Sequence, residues 1–426
     1  MSIIIKNGRV IDPASGTDAV KDIFIEGDRI AAMGDLGDRQ ADRVIDASGL
    51  VVMPGLVDLH VHLRDPGFEY KEDVESGCKA AARGGVTSLL AMGNTKPTMD
   101  NADRISYVTN KAKALSTIHV YQAGTVTIGL AGEELTDIDA MAAAGVKALS
   151  EDGKSVMNAA LLEEAMKKCA EHDMLMASHC EDITLVKGGV VNEDAWTEKL
   201  GLKGISNAVE DVITARDAIL AEHTGCRLHL CHCSTAGCVD IIKGAKKAGV
   251  DISAEVCPHH FILTSADIPG NDANYKMNPP LRTQKDVDAL IAALADGTIS
   301  CISTDHAPHG AEEKSRPIEK APFGIVGIET SAALTYTALV KTGVLSLMQM
   351  AEKMSYNPAK VLKIDAGYLA EGGPADLAVF DFDHAYVIDP SEFASKGKNT
   401  PFAGREVYGR TRLTVSGGTI VWEELS

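Results

Sequence analysis

Eight short apolar runs punctuate residues 55–305, at positions 56–62, 86–92, 118–123, 146–150, 174–179, 228–232, 250–256 and 299–305. Helix-like stretches separate them. Thr283 precedes Val287, Leu290, Ile291 and Leu294, which is 3.6-residue spacing behind a capping residue. Asn158 stands in the same relation to Leu161, Leu162, Ala165, Met166 and Cys169. Gly84-Gly85, Gly145, Gly225, Gly249 and Gly297 each precede a strand and are placed to end the helix before it. Eight strands alternating with helices predict an α/β fold, a (β/α)8 TIM-type barrel over residues 55–366, in preference to a doubly wound open sheet.

The two ends follow another pattern. Residues 1–54 hold short strands with tight-turn signals at Lys6-Asn7-Gly8-Arg9, Glu26-Gly27-Asp28 and Ser48-Gly49. Residues 367–426 repeat the style around Ala375–Phe380 and Ser416–Trp422. Turn residues between short apolar strands predict hairpins. Residues 1–54 and 367–426 are therefore expected to meet in one small β-sandwich domain beside the barrel.

Composition narrows the function. Of 426 residues, 45% are hydrophobic and 24% charged, which is ample for a large core. A formal charge of −19 argues against nucleic acid and against an anionic membrane surface. No apolar stretch approaches the ~20 residues of a membrane span, and residues 1–8 lack the features of a secretory signal. Nine scattered cysteines suit reduced thiols in a cytoplasmic protein better than a disulfide framework. Cys231-His232-Cys233 with Cys238 fits no standard zinc-finger spacing.

The chemistry gathers at the strand ends. In Leu59-His60-Val61-His62-Leu63-Arg64-Asp65, the two histidines are one residue apart and so share a strand face. Asp152, His179, His232 and Asp305 follow the fourth, fifth, sixth and eighth runs. In a parallel barrel those carboxyl ends form one ring, where active sites lie. Four imidazoles and two carboxylates exceed one tetrahedral ion and suit two divalent ions sharing a carboxylate and a hydroxide. His60, His62 and Asp305 fall to the first ion, His179 and His232 to the second, and Asp152 bridges. Arg64 is suited to gripping a carboxylate. Asn94, Asn278 in a proline-stiffened loop, and His309 complete a candidate substrate shell, while His259 and His260 read as packing or supporting residues.

With these residues in view, the chain resembles the dihydroorotases of the longer bacterial class, within the amidohydrolase superfamily, essentially end to end. The most specific segments are Asp58–Gly67, Ser178-His179-Cys180-Glu181-Asp182, Ser303–His309 and Ala321-Pro322-Phe323-Gly324, with Asn278-Pro279-Pro280-Leu281-Arg282 also similar. The resemblance implies zinc-dependent, reversible opening of the dihydroorotate ring to N-carbamoyl-aspartate in de novo pyrimidine synthesis. It implies two zinc ions on His60, His62, Asp152, His179, His232 and Asp305. Arg64, Asn94 and His309 would hold the substrate carboxylate. Asn278 and the backbone around Phe323 and Gly324 would meet the ring amides, and Asp305 would carry the proton from the attacking water to the ring nitrogen. Hydantoinases and shorter dihydroorotases bridge their ions with a carboxylated lysine, so Lys147 is the alternative to Asp152. A hydantoinase or allantoinase, and a metal-free scaffold subunit of a pyrimidine-pathway assembly, are the competing readings. The expected partner is a small molecule. A homodimer is common for such barrels, and association with another pathway enzyme is a further expectation.

Overall fold

The computed structural model describes residues 2–425. Among them, eight parallel strands follow one another around a barrel: Leu56–Val61, Val86–Ala91, His119–Gln122, Ala148–Ser150, Leu175–Ser178, Arg227–Leu230, Ile252–Val256 and Cys301–Ile302. These are the eight apolar runs of the sequence, trimmed at their ends except that the sixth begins one residue earlier, at Arg227. The ladders make one three-stranded and one five-stranded arc. Parallel bridges Gly124↔Leu149 and Val61↔His306 join the arcs into a ring. Ser150 N donates to Gly124 O, and His62 N to His306 O, each at 2.9 Å. Every residue of Leu56–Val61 and Val86–Ala91 is buried, as a parallel strand filled inside and covered by helices requires. Past the short eighth strand, Asp305 adopts a left-handed φ of +48°.

Local signals place the helices. Asn158 caps Ala159–Glu171, accepting from Ala160 N and Leu161 N, and Thr283 with Asp286 forms a capping box on Gln284–Asp296. Gly249 and Gly297 end their helices at φ +87° and +80°, a conformation that costs other residues dearly.

The two ends of the chain build one hydrogen-bonded sheet of eight strands. Ser2–Asp12, Thr17–Glu26, Arg29–Gly34, Arg43–Asp46 and Val51–Pro54 come from the N-terminal side, and Leu377–Val387, Glu406–Ser416 and Thr419–Glu423 from the C-terminal side. The seam is antiparallel, running from Leu377↔Pro54 to Phe380↔Val51. Ile3, Ile5, Val10, Ile23, Ile25, Leu413 and Val415 form a core of its own. Phe380 and Phe382 instead stack on each other and join the barrel core, fastening sheet to barrel. Burying each such ring contributes roughly 1.5–3 kcal/mol. One element has no forerunner in the sequence reading: after the fifth barrel strand the chain makes a small parallel ladder, Val191–Asn192 with Gly204–Ile205. Two-residue strands are too short to give a periodic signal.

Candidate active site

Six side chains converge at the carboxyl end of the barrel. His60, His62, Asp152, His179, His232 and Asp305 are 0–6% exposed. Asp152 is at their centre. Its Oδ1 lies 3.1 Å from His60 Nε2, 3.6 Å from His179 Nδ1 and 3.9 Å from His232 Nε2, and its Oδ2 lies 3.5 Å from His62 Nε2. Asp305 Oδ1 is 3.1 Å from His62 Nε2 and 3.6 Å from His60 Nε2. Strand geometry explains the first pair: His60 and His62 are two residues apart, so both face the barrel mouth.

This group is built for cations. His60 Nε2, which faces the cluster, is buried without a hydrogen-bond partner among the described residues, a costly state for a polar atom. His179 Nδ1 and His232 Nε2 face each other at 2.8 Å, which only one proton could bridge. Ligand atoms of His60, His62 and Asp305, and of His60, Asp152 and His232, lie within 4.8 Å of one another. Burial raises the Asp152 carboxyl, but His60, His232 and His62 outweigh it and hold it well below the usual carboxylate range. Asp305 is lowered in the same way, burial being overcome by His62 and His60. Deprotonated carboxylates among imidazoles are the donor set of zinc, and of cobalt or manganese. The residues present fit a pair of divalent ions.

Two further carboxylates hold the ligands in place. Glu255 is fully buried in the strand Ile252–Val256. Its Oε1 accepts from His60 Nδ1 at 3.1 Å and His232 N at 3.3 Å, and its Oε2 accepts from His229 Nε2 at 3.1 Å and from the Ser303 hydroxyl. Asp58 accepts from His60 N at 3.2 Å, Thr304 N at 3.1 Å and Thr304 Oγ1 at 2.6 Å, tying the first strand to the loop that carries Asp305. Burial pushes Asp58 up to about 6. The sequence reading gave neither residue a role, though Asp58 opens one of its motif segments. Their signal was a charge set inside an apolar run, which burial forbids unless hydrogen bonds await it.

The remaining predicted residues surround one cavity of ≈ 200 Å³ above this centre, lined by Arg64, Asn94, Asn278, His309, Phe323 and Gly324 as well as by His62, Asp152, His179, His232 and Asp305. Arg64 Nη2 is 3.3 Å from His309 Nε2, and Arg64 Nε donates to Pro308 O at 3.2 Å. His309 Nε2 donates to Phe323 O at 2.8 Å, while Lys71 Nζ donates to Nδ1 at 3.2 Å. Burial, then Arg64, Lys71 and Lys314, push His309 down to about 2, so it stays neutral. Gly324 has φ +126°, and a Cβ there would meet Ala307 Cβ at 2.7 Å and His309 Nε2 at 3.1 Å. Asn94 is engaged in the centre itself, accepting from His62 Nδ1 at 3.0 Å and donating to Asp152 Oδ2 at 2.8 Å. Asn278 Nδ2 donates to Glu181 Oε1 at 3.0 Å. His259 and His260 are buried outside the cavity lining, and His260 Nε2 donates to Pro279 O at 2.9 Å, bracing the Asn278 loop.

The structure removes two alternatives. Lys147 is exposed and precedes Ala148–Ser150, its carbonyl accepting from Leu175 N at 2.9 Å at the start of the fifth strand, and so sits at the opposite end of its strand from Asp152. A carboxylated Lys147 therefore has no reach to these ligands. Cys231 groups with His60 and Glu255, whereas Cys233 and Cys238 group with Glu210, so the four knuckle-like residues share no common point. Among the described residues no disulfide forms, and all nine cysteines are buried thiols.

Residues 49–237 match the family described as Dihydro-orotase-like. Over 421 residues the chain is 48% identical to the dihydroorotase of Ruminiclostridium cellulolyticum, covering 99% of this chain and 98% of that protein. It is 50% identical over 381 residues to the dihydroorotase of Bacillus caldolyticus, 89% of each chain. The chain belongs to the dihydroorotase family. Its barrel closely matches solved structures of the wider fold. The L-hydantoinase (dihydropyrimidinase) from Arthrobacter aurescens superposes with a TM-score of 0.87 at 27% identity, over 99% of this chain and 96% of that one. The dihydropyrimidinase from Brevibacillus agri gives 0.88 at 24% identity, over 100% and 95%. This dihydroorotase is thus an amidohydrolase-type TIM barrel that hydrolyses a cyclic amide.

Proposed function

We propose that this dihydroorotase opens dihydroorotate, and closes N-carbamoyl-aspartate, in the cavity between the Asp152-centred cluster and Arg64. The observation that carries the proposal is that one cavity is walled on one side by the six-residue cluster and on the other by a guanidinium paired with a neutral imidazole. His60, His62, Asp152, His179, His232 and Asp305 would hold two zinc ions. When bound, such ions supply Lewis acidity and a water acidified toward neutral pH. The rest falls to the chain. Arg64 Nη2, 3.3 Å from the His309 ring, presents a guanidinium N–H to the substrate carboxylate and matches its charge, while His309 Nε2 would join it by exchanging its bond to Phe323 O for one to the carboxylate. Asn278 and the Phe323-Gly324 backbone orient the ring amides. Asp305 Oδ takes the proton of the attacking water and returns it to the ring nitrogen. Its depressed pKa keeps it a base at neutral pH, and its place on the cavity wall lets it reach both atoms.

Arg64→Met tests the proposal. Turnover of dihydroorotate should fall by at least 30-fold, since losing one partner of a buried charge pair costs ~2–5 kcal/mol. An uncharged cyclic imide should be little affected. Equal losses on both substrates would refute the carboxylate role.

The proposal extends to organisation. Residues 1–54 and 367–426 form one domain and 55–366 the catalytic barrel. The enzyme serves de novo pyrimidine synthesis in the cytoplasm as a homodimer, with another pathway enzyme as a candidate partner. No helix among the described residues is long and apolar enough to cross a membrane.

A further inference from the structure

His179 and Glu181 leave the fifth barrel strand two residues apart. The backbone between them is pinned by Ser155, whose hydroxyl donates to His179 O at 2.7 Å and accepts from Glu181 N at 3.1 Å. Glu181 is 8% exposed, and its two oxygens serve different masters. Oε2 is 3.2 Å from His179 Nε2. Oε1 accepts from Asn278 Nδ2 at 3.0 Å. His179 Nδ1 is the nitrogen that faces His232 Nε2 and Asp152 Oδ1. Ligation through Nδ1 requires the proton on Nε2, and the Glu181 carboxylate is the acceptor that keeps it there. A carboxylate behind a ligating imidazole fixes its tautomer and raises its basicity. On the other side, Glu181 fixes the Asn278 amide with its nitrogen turned away, leaving Oδ1 as the free atom. An acceptor at that point on the cavity wall suits an N–H of the substrate ring.

We infer that Glu181 is a positioning residue joining the metal centre to the substrate loop, so that one carboxylate sets both the affinity for the ion on His179 and the orientation of Asn278. The inference rests on the proposed two-ion site and deepens it. It makes loss of Glu181 a double defect, in metal affinity and in KM, which a merely structural residue would not produce.

The test uses the full-length enzyme, with zinc affinity read by chelator competition and kcat and KM read at saturating zinc. Glu181→Ala should weaken zinc binding by roughly 10–100-fold and raise KM. Glu181→Gln, which keeps the shape and guards against a folding failure, should bind zinc more weakly because its amide N–H₂ cannot accept from His179 Nε2, while KM stays near the wild-type value because its Oε1 still accepts from Asn278 Nδ2. Asn278→Ala should raise KM without changing zinc affinity. Adding Glu181→Ala to it should raise KM no further. Wild-type zinc affinity in Glu181→Ala, or KM effects that multiply in the double variant, would overturn the inference. His179→Ala separates the two levels: if it too keeps its zinc, the two-ion reading falls, whereas if it loses zinc and Glu181→Ala does not, only the role of Glu181 falls.

Discussion

Removing Glu255 should cost the fold more than any other single truncation in the site. The carboxylate is fully buried and accepts from His60 Nδ1, His229 Nε2, His232 N and the Ser303 hydroxyl. Glu255→Ala strands all four donors. Each buried unsatisfied group costs roughly 1–3 kcal/mol, and breaking a buried charged pair by deleting one partner costs about 3–5 kcal/mol in total. The groups share one small volume and relax together, so the whole effect should fall near that range rather than at the sum. A typical domain has only about 5–15 kcal/mol to lose. Glu255→Gln keeps the shape and one acceptor oxygen but turns an amide N–H₂ toward a donor, so about 1–3 kcal/mol is expected. Urea unfolding followed by circular dichroism, with chelator present so that metal linkage drops out, should rank the midpoints wild type, Gln, Ala at unchanged slope. An Ala variant within 1 kcal/mol of wild type would refute the reasoning, because the four donors would then have found other partners (threshold from the single-bond range).

Three further outcomes are expected. Asp305→Ala should lose at least ~10²–10⁴ in kcat while unfolding as the wild type does; a variant that retained its turnover would remove Asp305 from proton transfer. His259 is pushed from 6.5 down to about 4, by burial first and by His232, against the pull of Asp305. The unfolded chain therefore takes up this proton before the folded one, and stability falls as pH drops from about 6.5 to about 4, by up to about 3 kcal/mol; His259→Gln should flatten that part of the pH–stability curve, and an unchanged slope would contradict the assignment. Lys147→Arg should leave metal content and turnover at wild-type level, and loss of bound metal would revive the lysine bridge.

The barrel was legible because parallel strands buried on both faces leave unbroken apolar runs, and the turns out of them carry the chemistry. His60 and His62 announced themselves through the period of a strand. Asp152 and Asp305 did so only by position, since an aspartate after a strand is also an ordinary turn residue. What stayed hidden is what depends on partners far away in sequence. Glu255 makes sense only once His60, His229 and Ser303 are beside it, and Asp58 only once Thr304 is. Asn94 reads equally well as a substrate contact, yet its amide spans His62 and Asp152 here. The short ladder at 191–205 is set by tertiary packing rather than by local pattern.

The seam between Val51–Pro54 and Leu377–Phe380 has a consequence for birth on the ribosome. The early strands emerge long before their closing partner, and at ordinary rates of synthesis the wait lasts tens of seconds. Throughout it, Val51–Pro54 presents an unpaired, wholly apolar edge, the kind of surface that recruits neighbouring chains. Nascent copies on one message therefore carry this open edge side by side for most of their synthesis.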